Sequence, residues 1–514
     1  MADQLSAAAL PFYGEALSRA PHLSALAEKG VVFDNAYCNS PLCCPSRASM
    51  LTGQLPSKNG AFDNAGLLAA DTPTFAHYLR RAGYATSLAG KMHFVGPDQL
   101  HGFEERLTTD IYPSDFGWTP DWTRRERFPW YHNLLSVVQA GVCETSNQLD
   151  YDEEVAFRAV RKVYDLARSP DPRPFFLGVS FTHPHDPFAI TQEYWDRYDH
   201  DEIDLPTIPP LPYGDLDPHS QRLYEACALG EYEQTEARVR RARHAYYGMI
   251  SYVDDKVGQL VEALERTGQS ENTLLIFTAD HGEMLGERGL WYKMSFYEPS
   301  ARIPLLVHAP GRFAPSRVSA CVSLVDMLPT LTELAGGVTD YVSPLEGRSL
   351  LPLLEGAEDE PSERTVYGEM LGEGAVAPLL MIRRGRYKYV YSPPDPEQLF
   401  DLEADPHERT NLAGQTEHEA LRQSFAQEVN ERWDVAALHE EVIDSQQRRR
   451  FIFETLAQGV NTHWDFQPFK DASERFMRGH LDLDRLEQTS RHPTPDIPEP
   501  DGANVRASSK PVTD

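Results

Sequence analysis

The sequence predicts an α/β fold, a large mixed sheet flanked by helices on both faces with a smaller C-terminal α+β subdomain, and three observations carry that reading. Short apolar runs rich in β-branched and aromatic residues alternate with helical patterns along the first 365 residues. Two of those runs, residues 175–182 and 273–278, lead directly into polar segments, THPHDP and ADHGE, and open α/β sheets place ligands just past the carboxyl ends of their strands. Past residue 365 the texture changes to short strand signals punctuated by Gly, Pro and Asp.

Taken in chain order, the N-terminus is polar almost at once and lacks the basic, apolar and small-residue pattern of a secretory signal, which predicts a cytoplasmic protein. Residues 235–267 predict a long helix, with Val239, Ala242, Tyr246, Ile250, Val253, Val257, Leu260 and Leu264 at spacings of three and four and Gly268 as its stop. Strand signals follow at 381–383 and 387–391. The expected organisation is a catalytic domain over 1–365, an α+β subdomain over 366–470 and a partly disordered tail over 471–514, where Pro493, Pro495, Pro498 and Pro500 accompany few apolar residues.

Bulk properties narrow the function. With 48 Lys+Arg against 78 Asp+Glu the formal net charge is -30, a field that repels nucleic acid and anionic membrane surfaces. No apolar run approaches the roughly 18 residues of a membrane span. Six cysteines in 514 residues form neither a disulfide framework nor a CxxC zinc pair, so adjacent Cys43 and Cys44 stand out.

Residues 43–53, CCPSRASMLTG, resemble the sulfatase signature C-x-P-S-R-x-x-x-L-T-G, with seven fixed positions matched. That resemblance implies conversion of Cys43, by register and not Cys44, to formylglycine by a formylglycine-generating enzyme. The hydrate carries two hydroxyls on one carbon, one to attack sulfur and one to expel sulfate. Arg47, on a helix expected to begin near Ser46, would reach back toward position 43 as a sulfate clamp. The resemblance further implies one divalent metal held by Asp3, Asp280, His281 and the modified Cys43. Hard oxygen ligands favour calcium, with manganese or magnesium as alternatives. Lys91 and His93, in GKMHF, resemble the family's sulfate-holding pair; His185 resembles the histidine at the leaving group; Lys293 resembles the second sulfate-binding lysine. His93 or His185 is expected to handle protons. His183 is expected to be a core histidine.

Longer stretches, including residues 91–122 and 395–406, resemble choline-sulfatases. A quaternary ammonium is bound by aromatic faces and carboxylates, so Trp118 is the candidate wall, with Asn64, His132, Asn133 and Asp484 as further contacts. Asp484 lies in a C-terminal segment that in this family helps enclose substrate and build oligomers, which implies a homo-oligomer. Two departures stand against the pattern. Asp3 follows no apolar first strand, which predicts a poorly held metal aspartate, and Gln4 replaces a second acidic ligand. Two alternatives stay open: a phosphonate or phosphate ester hydrolase of the same superfamily, and an inactive paralogue that only binds a quaternary ammonium.

Overall fold

The computed structural model describes residues 1–124, 131–336, 340–357, 364–460, 464, 482–491 and 495–496. In chain order the catalytic part contains strands β1 (Val31–Tyr37), β2 (Ala85–Gly90), β3 (Glu105–Arg106), β4 (Phe175–Ser180), β5 (Leu275–Thr278), β6 (Leu305–His308) and β7 (Ser316–Ser323). Its principal helices are α1 (Cys43–Thr52), α2 (Asn147–Arg168) and α3 (Glu236–Arg266). The sheet is mixed, in two ladders: β5-β6-β1-β7, in which β6 runs antiparallel to both neighbours, and the parallel ladder β3-β2-β4.

Met1 and Ala2 join the ladders. The Met1 amine donates to the Val179 carbonyl and the Phe181 amide returns to Met1, while Ala2 pairs with Ala279 and donates to Thr278. Met1 and Ala2 thus hydrogen-bond to both β4 and β5, whose side chains are largely half-buried. The expectation of a poorly held Asp3 is corrected here: Asp3 is fully buried and ion-paired, because both edges grip the residues that precede it.

The long helix matches its sequence pattern. Thr235 caps it, Val239, Ala242, Tyr246, Ile250, Val253 and Val257 are buried, and Gly268 follows at φ 70°. The predicted strands at 175–182 and 273–278 form over 175–180 and 275–278. One expectation fails by a turn: α1 starts at Cys43 rather than near Ser46. Pro45 sits inside the first turn, where backbone N–H groups have no intrahelical partner and its missing donor costs nothing.

The C-terminal unit is an antiparallel meander, β8 (Thr365–Met370), β9 (Leu379–Arg384), β10 (Tyr387–Tyr391) and β11 (Gln398–Asp401), backed by helices α4 (Glu419–Arg432) and α5 (Val435–Leu456). Its own apolar core, including Leu380, Ile382, Tyr389, Phe425, Val429 and Val442, makes it a second packing unit. A last helix, α6 (Leu483–Ser490), returns toward the catalytic part. Most of the 471–514 tail, and with it part of the family-like segment 476–487, lies outside the described residues.

Candidate active site

The site lies at the carboxyl ends of β2, β4 and β5, where α1 begins. Asp3, Cys43, Asp280 and His281 place one ligand atom each within 4.8 Å of one another, all buried. Asp280 Oδ1 accepts the Gln4 and His281 amides at 3.0 Å each, and its Oδ2 accepts Arg47 Nε at 2.8 Å. Burial alone would raise the Asp280 carboxyl, but Arg47, His281 and Lys91 outweigh it and hold the group well below the carboxylate range. Burial, with Asp280 beside it, pushes Asp3 up to about 6. His281 Nδ1 lies 3.0 Å from the Gly282 carbonyl, so that nitrogen carries the proton and Nε2, 3.2 Å from Cys43 Sγ, is free to ligate. Two anionic carboxylates and one free imidazole nitrogen converging in a dry pocket fit a divalent cation with mainly oxygen ligands. Burial and Asp3 push the Cys43 thiol up to about 12.

Arg47 is committed beneath this group. Besides Asp280 it donates to the Lys91 carbonyl at 2.5 Å and to Ser180 Oγ at 2.9 Å, and it pairs with Asp3 at 3.5 Å. A helix starting at Cys43 turns its guanidinium onto the Asp280 and Asp3 carboxylates. Lys91 contacts Asp3, donates to Cys43 Sγ at 3.3 Å and sits 4.2 Å over the Tyr112 ring. Gly90 before it has φ 98°, and a Cβ there would fall 1.9 Å from the Ser180 carbonyl oxygen, so only glycine lets β2 and β4 approach. His93, at φ 57°, has both ring nitrogens buried without a hydrogen bond among the described residues, and burial with Lys91 lowers it to about 3.

On the far side of Cys43, Lys293 Nζ lies 2.8 Å from His185 Nε2 and 3.2 Å from His132 Nε2, and it donates to Gln4 Oε1. The His185 Nδ1 is 2.6 Å from the Asp186 carbonyl, so its Nε2 is the acceptor facing the lysine. Burial, reinforced by Lys293 and Lys91, holds His185 well below its usual range. Gln4, in place of a second acid, also donates to Asp186 at 3.1 Å and to Glu283, tying the lysine to two buried carboxyls. Tyr292 and Met294, flanking Lys293, stand at φ 68° and 69°, backbone strain of the kind held at functional sites.

Beyond this line the walls turn aromatic. Trp118 is stacked by Tyr131 at 4.2 Å and 20°, and Tyr112 lies 5.4 Å from it. Asn64 accepts the Cys44 amide at 3.0 Å and donates to Tyr131 Oη at 2.7 Å, so it positions that wall. Asn133 donates to Asp484 at 2.5 Å, docking α6 at the rim. His183 pairs with Asp152 at 2.7 Å, within the core behind the site. Sequence reasoning missed Tyr112, Tyr131 and Glu373. Glu373 is 2% exposed, and neither of its oxygens makes a hydrogen bond among the described residues. Burial and Asp63 hold it well above the usual range, and its charge is felt at Tyr131. Only its acidity within a Gly-rich turn could have signalled it.

Comparison with known proteins bears on this site. Residues 1–338 match the Sulfatase family, residues 286–434 match "N-sulphoglucosamine sulphohydrolase, C-terminal", and residues 440–492 match "Choline sulfatase enzyme C terminal". The chain belongs to the sulfatase family and is a sulfuric ester hydrolase. Within that family it is similar to the choline-sulfatase of Rhizobium meliloti (strain 1021), 50% identical over 503 residues that span 96% of this chain and 97% of that protein. Arylsulfatase K of Gallus gallus is 34% identical over 79% of this chain and 76% of its own length. A solved structure, the phosphonate monoester hydrolase of Agrobacterium radiobacter, covers 85% of this chain and 94% of its own at TM-score 0.68 and 26% identity. No helix among the described residues is long and apolar enough to cross a membrane.

Proposed function

We propose that the ester hydrolysed is choline sulfate, yielding choline and inorganic sulfate. The observation that carries this reading is Glu373, a buried carboxyl that makes no side-chain hydrogen bond among the described residues and whose charge is felt at Tyr131, the ring that stacks on Trp118. A buried acid without a partner is costly, and a ligand that brings a positive charge removes the cost. Aromatic faces and a carboxylate are what a quaternary ammonium needs. Similarity to a protein named choline-sulfatase supports it.

Asp3, Asp280, His281 and a formylglycine made from Cys43 would hold one divalent cation, calcium by its oxygen donors, with manganese or magnesium as alternatives. When bound, the cation supplies Lewis-acid polarisation of the sulfuryl group, and the formylglycine hydrate supplies a hydroxyl nucleophile with a second hydroxyl for sulfate release. The chain's own residues do the rest. Lys91, 3.3 Å from Cys43 Sγ, and His93 would donate to the transferring group. Lys293 and His185 share one hydrogen at 2.8 Å, and Lys293 would pass a proton to the departing choline oxygen. Maturation requires a formylglycine-generating enzyme. A homo-oligomer is supported by Phe451 at 70% exposure, with Ile452, Phe453 and Leu456 exposed beside it near the end of α5.

The test compares choline sulfate with its neutral isostere, 3,3-dimethylbutyl sulfate. Non-hydrogen-bonding cation contacts of about 1–2 kcal/mol predict a kcat/KM preference of roughly 5- to 30-fold for choline sulfate, reduced in Glu373→Gln. Equal rates on both esters contradict the choline reading while leaving sulfate ester hydrolysis intact.

A further inference from the structure

Among the described residues the polar contacts of Lys293 Nζ are Gln4 Oε1, His132 Nε2 and His185 Nε2, and none of the three is a carboxylate. A fully buried lysine held in this way depends on the direction in which its acceptors point. A glutamine amide has an acceptor end and a donor end related by a half-turn, so something must decide which end faces the lysine. Gln4 Nε2 donates to Asp186 Oδ1 at 3.1 Å and to Glu283 Oε2. Two carboxyls claim the donor end and leave the oxygen for Lys293.

We propose that Glu283 is the positioning residue of Lys293, holding the lysine by its main chain and by its Nζ at once; the inference rests on the reading of Lys293 as proton donor to the leaving group. Glu283 Oε1 accepts the Leu285 amide at 2.9 Å and the Tyr292 amide at 2.6 Å, and Tyr292 is the residue before Lys293. The Met284 amide donates to the Tyr292 carbonyl at 2.7 Å and the Glu283 amide to the Pro299 carbonyl at 2.9 Å, so the loop that carries the lysine is tied to the glutamate at both ends. Tyr292 and Met294 stand at φ 68° and 69°, a backbone state that persists only where its surroundings enforce it, and a carboxyl oxygen on the Tyr292 amide does so. The other oxygen, Oε2, reaches the far end of the same lysine through the Gln4 amide. Asp186 shares the Gln4 donor end and bonds besides to Ser136 Oγ at 3.0 Å; Glu283 adds the grip on the lysine's own loop. Both grips set where Lys293 Nζ sits, and neither touches the substrate.

The experiment measures kcat of the matured full-length enzyme on choline sulfate, an alkyl ester, and on 4-nitrophenyl sulfate, whose leaving group needs no proton, for wild type, Lys293→Met and Glu283→Gln. In Glu283→Gln the amide oxygen keeps the Leu285 and Tyr292 contacts while the new NH2 meets the NH2 of Gln4; two donors do not pair, so Gln4 turns its nitrogen toward Lys293. The displaced lysine should lower kcat on choline sulfate roughly 10- to 100-fold and on the nitrophenyl ester by no more than about threefold. Both esters are read on one preparation, so any unfolded or unmatured fraction cancels in their ratio. Should that variant not fold, Gln4→Leu breaks the same link from its other side and should show the same split. An equal loss on both esters, or no loss, while Lys293→Met remains selective for the alkyl ester, overturns the role of Glu283. Equal losses in Lys293→Met itself would instead overturn the donor reading on which the role stands.

Discussion

At the scale of single residues, the site divides into groups that chemistry made visible in the sequence and groups that only burial reveals. Cys43, Lys91, Asp280, His281 and Lys293 stand next to strand ends or in a constrained motif, so their residue types already pointed to anion and metal chemistry. Glu373 carries no such local pattern. Its meaning arises because tertiary packing strips it of water and, among the described residues, of side-chain hydrogen-bond partners, which no spacing rule encodes. Arg47 shows the converse: its identity was legible, but a start of α1 at Cys43 sends its guanidinium to Asp280 and Asp3. The Lys293 pair with His185 gives a prediction at this scale. Lys293→Met should lower kcat on an alkyl sulfate by about 10²–10⁴-fold and much less on a nitrophenyl sulfate, whose leaving group needs no proton. Parallel kcat measurements on the two esters check it; equal losses would assign the lysine to sulfate binding alone.

Among elements, α3 was readable almost to the residue because its apolar positions keep helical period over 31 residues and Thr235 and Gly268 mark its ends. The start of α1 was not, since a proline reads as a boundary whether it stands before the first turn or within it. The segment after β2 shows how a loop without regular structure is fixed. Asp110 accepts the Met92 amide at 3.1 Å, the His93 amide at 2.8 Å and Arg106 at 2.6 Å, holding the backbone that carries Lys91 and His93. Burial would raise the Asp110 carboxyl, but Arg106 and those amides outweigh it and lower it to about 2. The folded value lies below the roughly 3.9 of an unfolded aspartate, so the stabilisation is fully present above about pH 4 and is lost as the pH falls through about 2. Asp110→Asn should cost roughly 3–5 kcal/mol at neutral pH, with a smaller difference from wild type near pH 2.5, read from urea midpoints. A pH-independent difference would count against the ion pair.

For the whole molecule, the α/β fold class with a smaller C-terminal α+β part followed from composition and period, and the separate C-terminal sheet bears it out. The junction of the two ladders was not legible, because hydrogen bonding by Met1 and Ala2 to both β4 and β5 depends on contacts some 180 and 280 residues away in sequence. The return of α6 to the catalytic rim was equally hidden; it is fixed by Asn133 with Asp484 and by Arg491 with Gln139. These long-range ties make one enclosure of residues from both ends of the chain, with a buried position 43 at its centre. The chemistry of the site turns on what occupies that position. The most direct measurement is the mass of the tryptic peptide spanning residue 43, taken from protein that is releasing sulfate from choline sulfate. The account predicts an aldehyde in place of the Cys43 thiol, in proportion to activity; an unmodified thiol in fully active protein would contradict it.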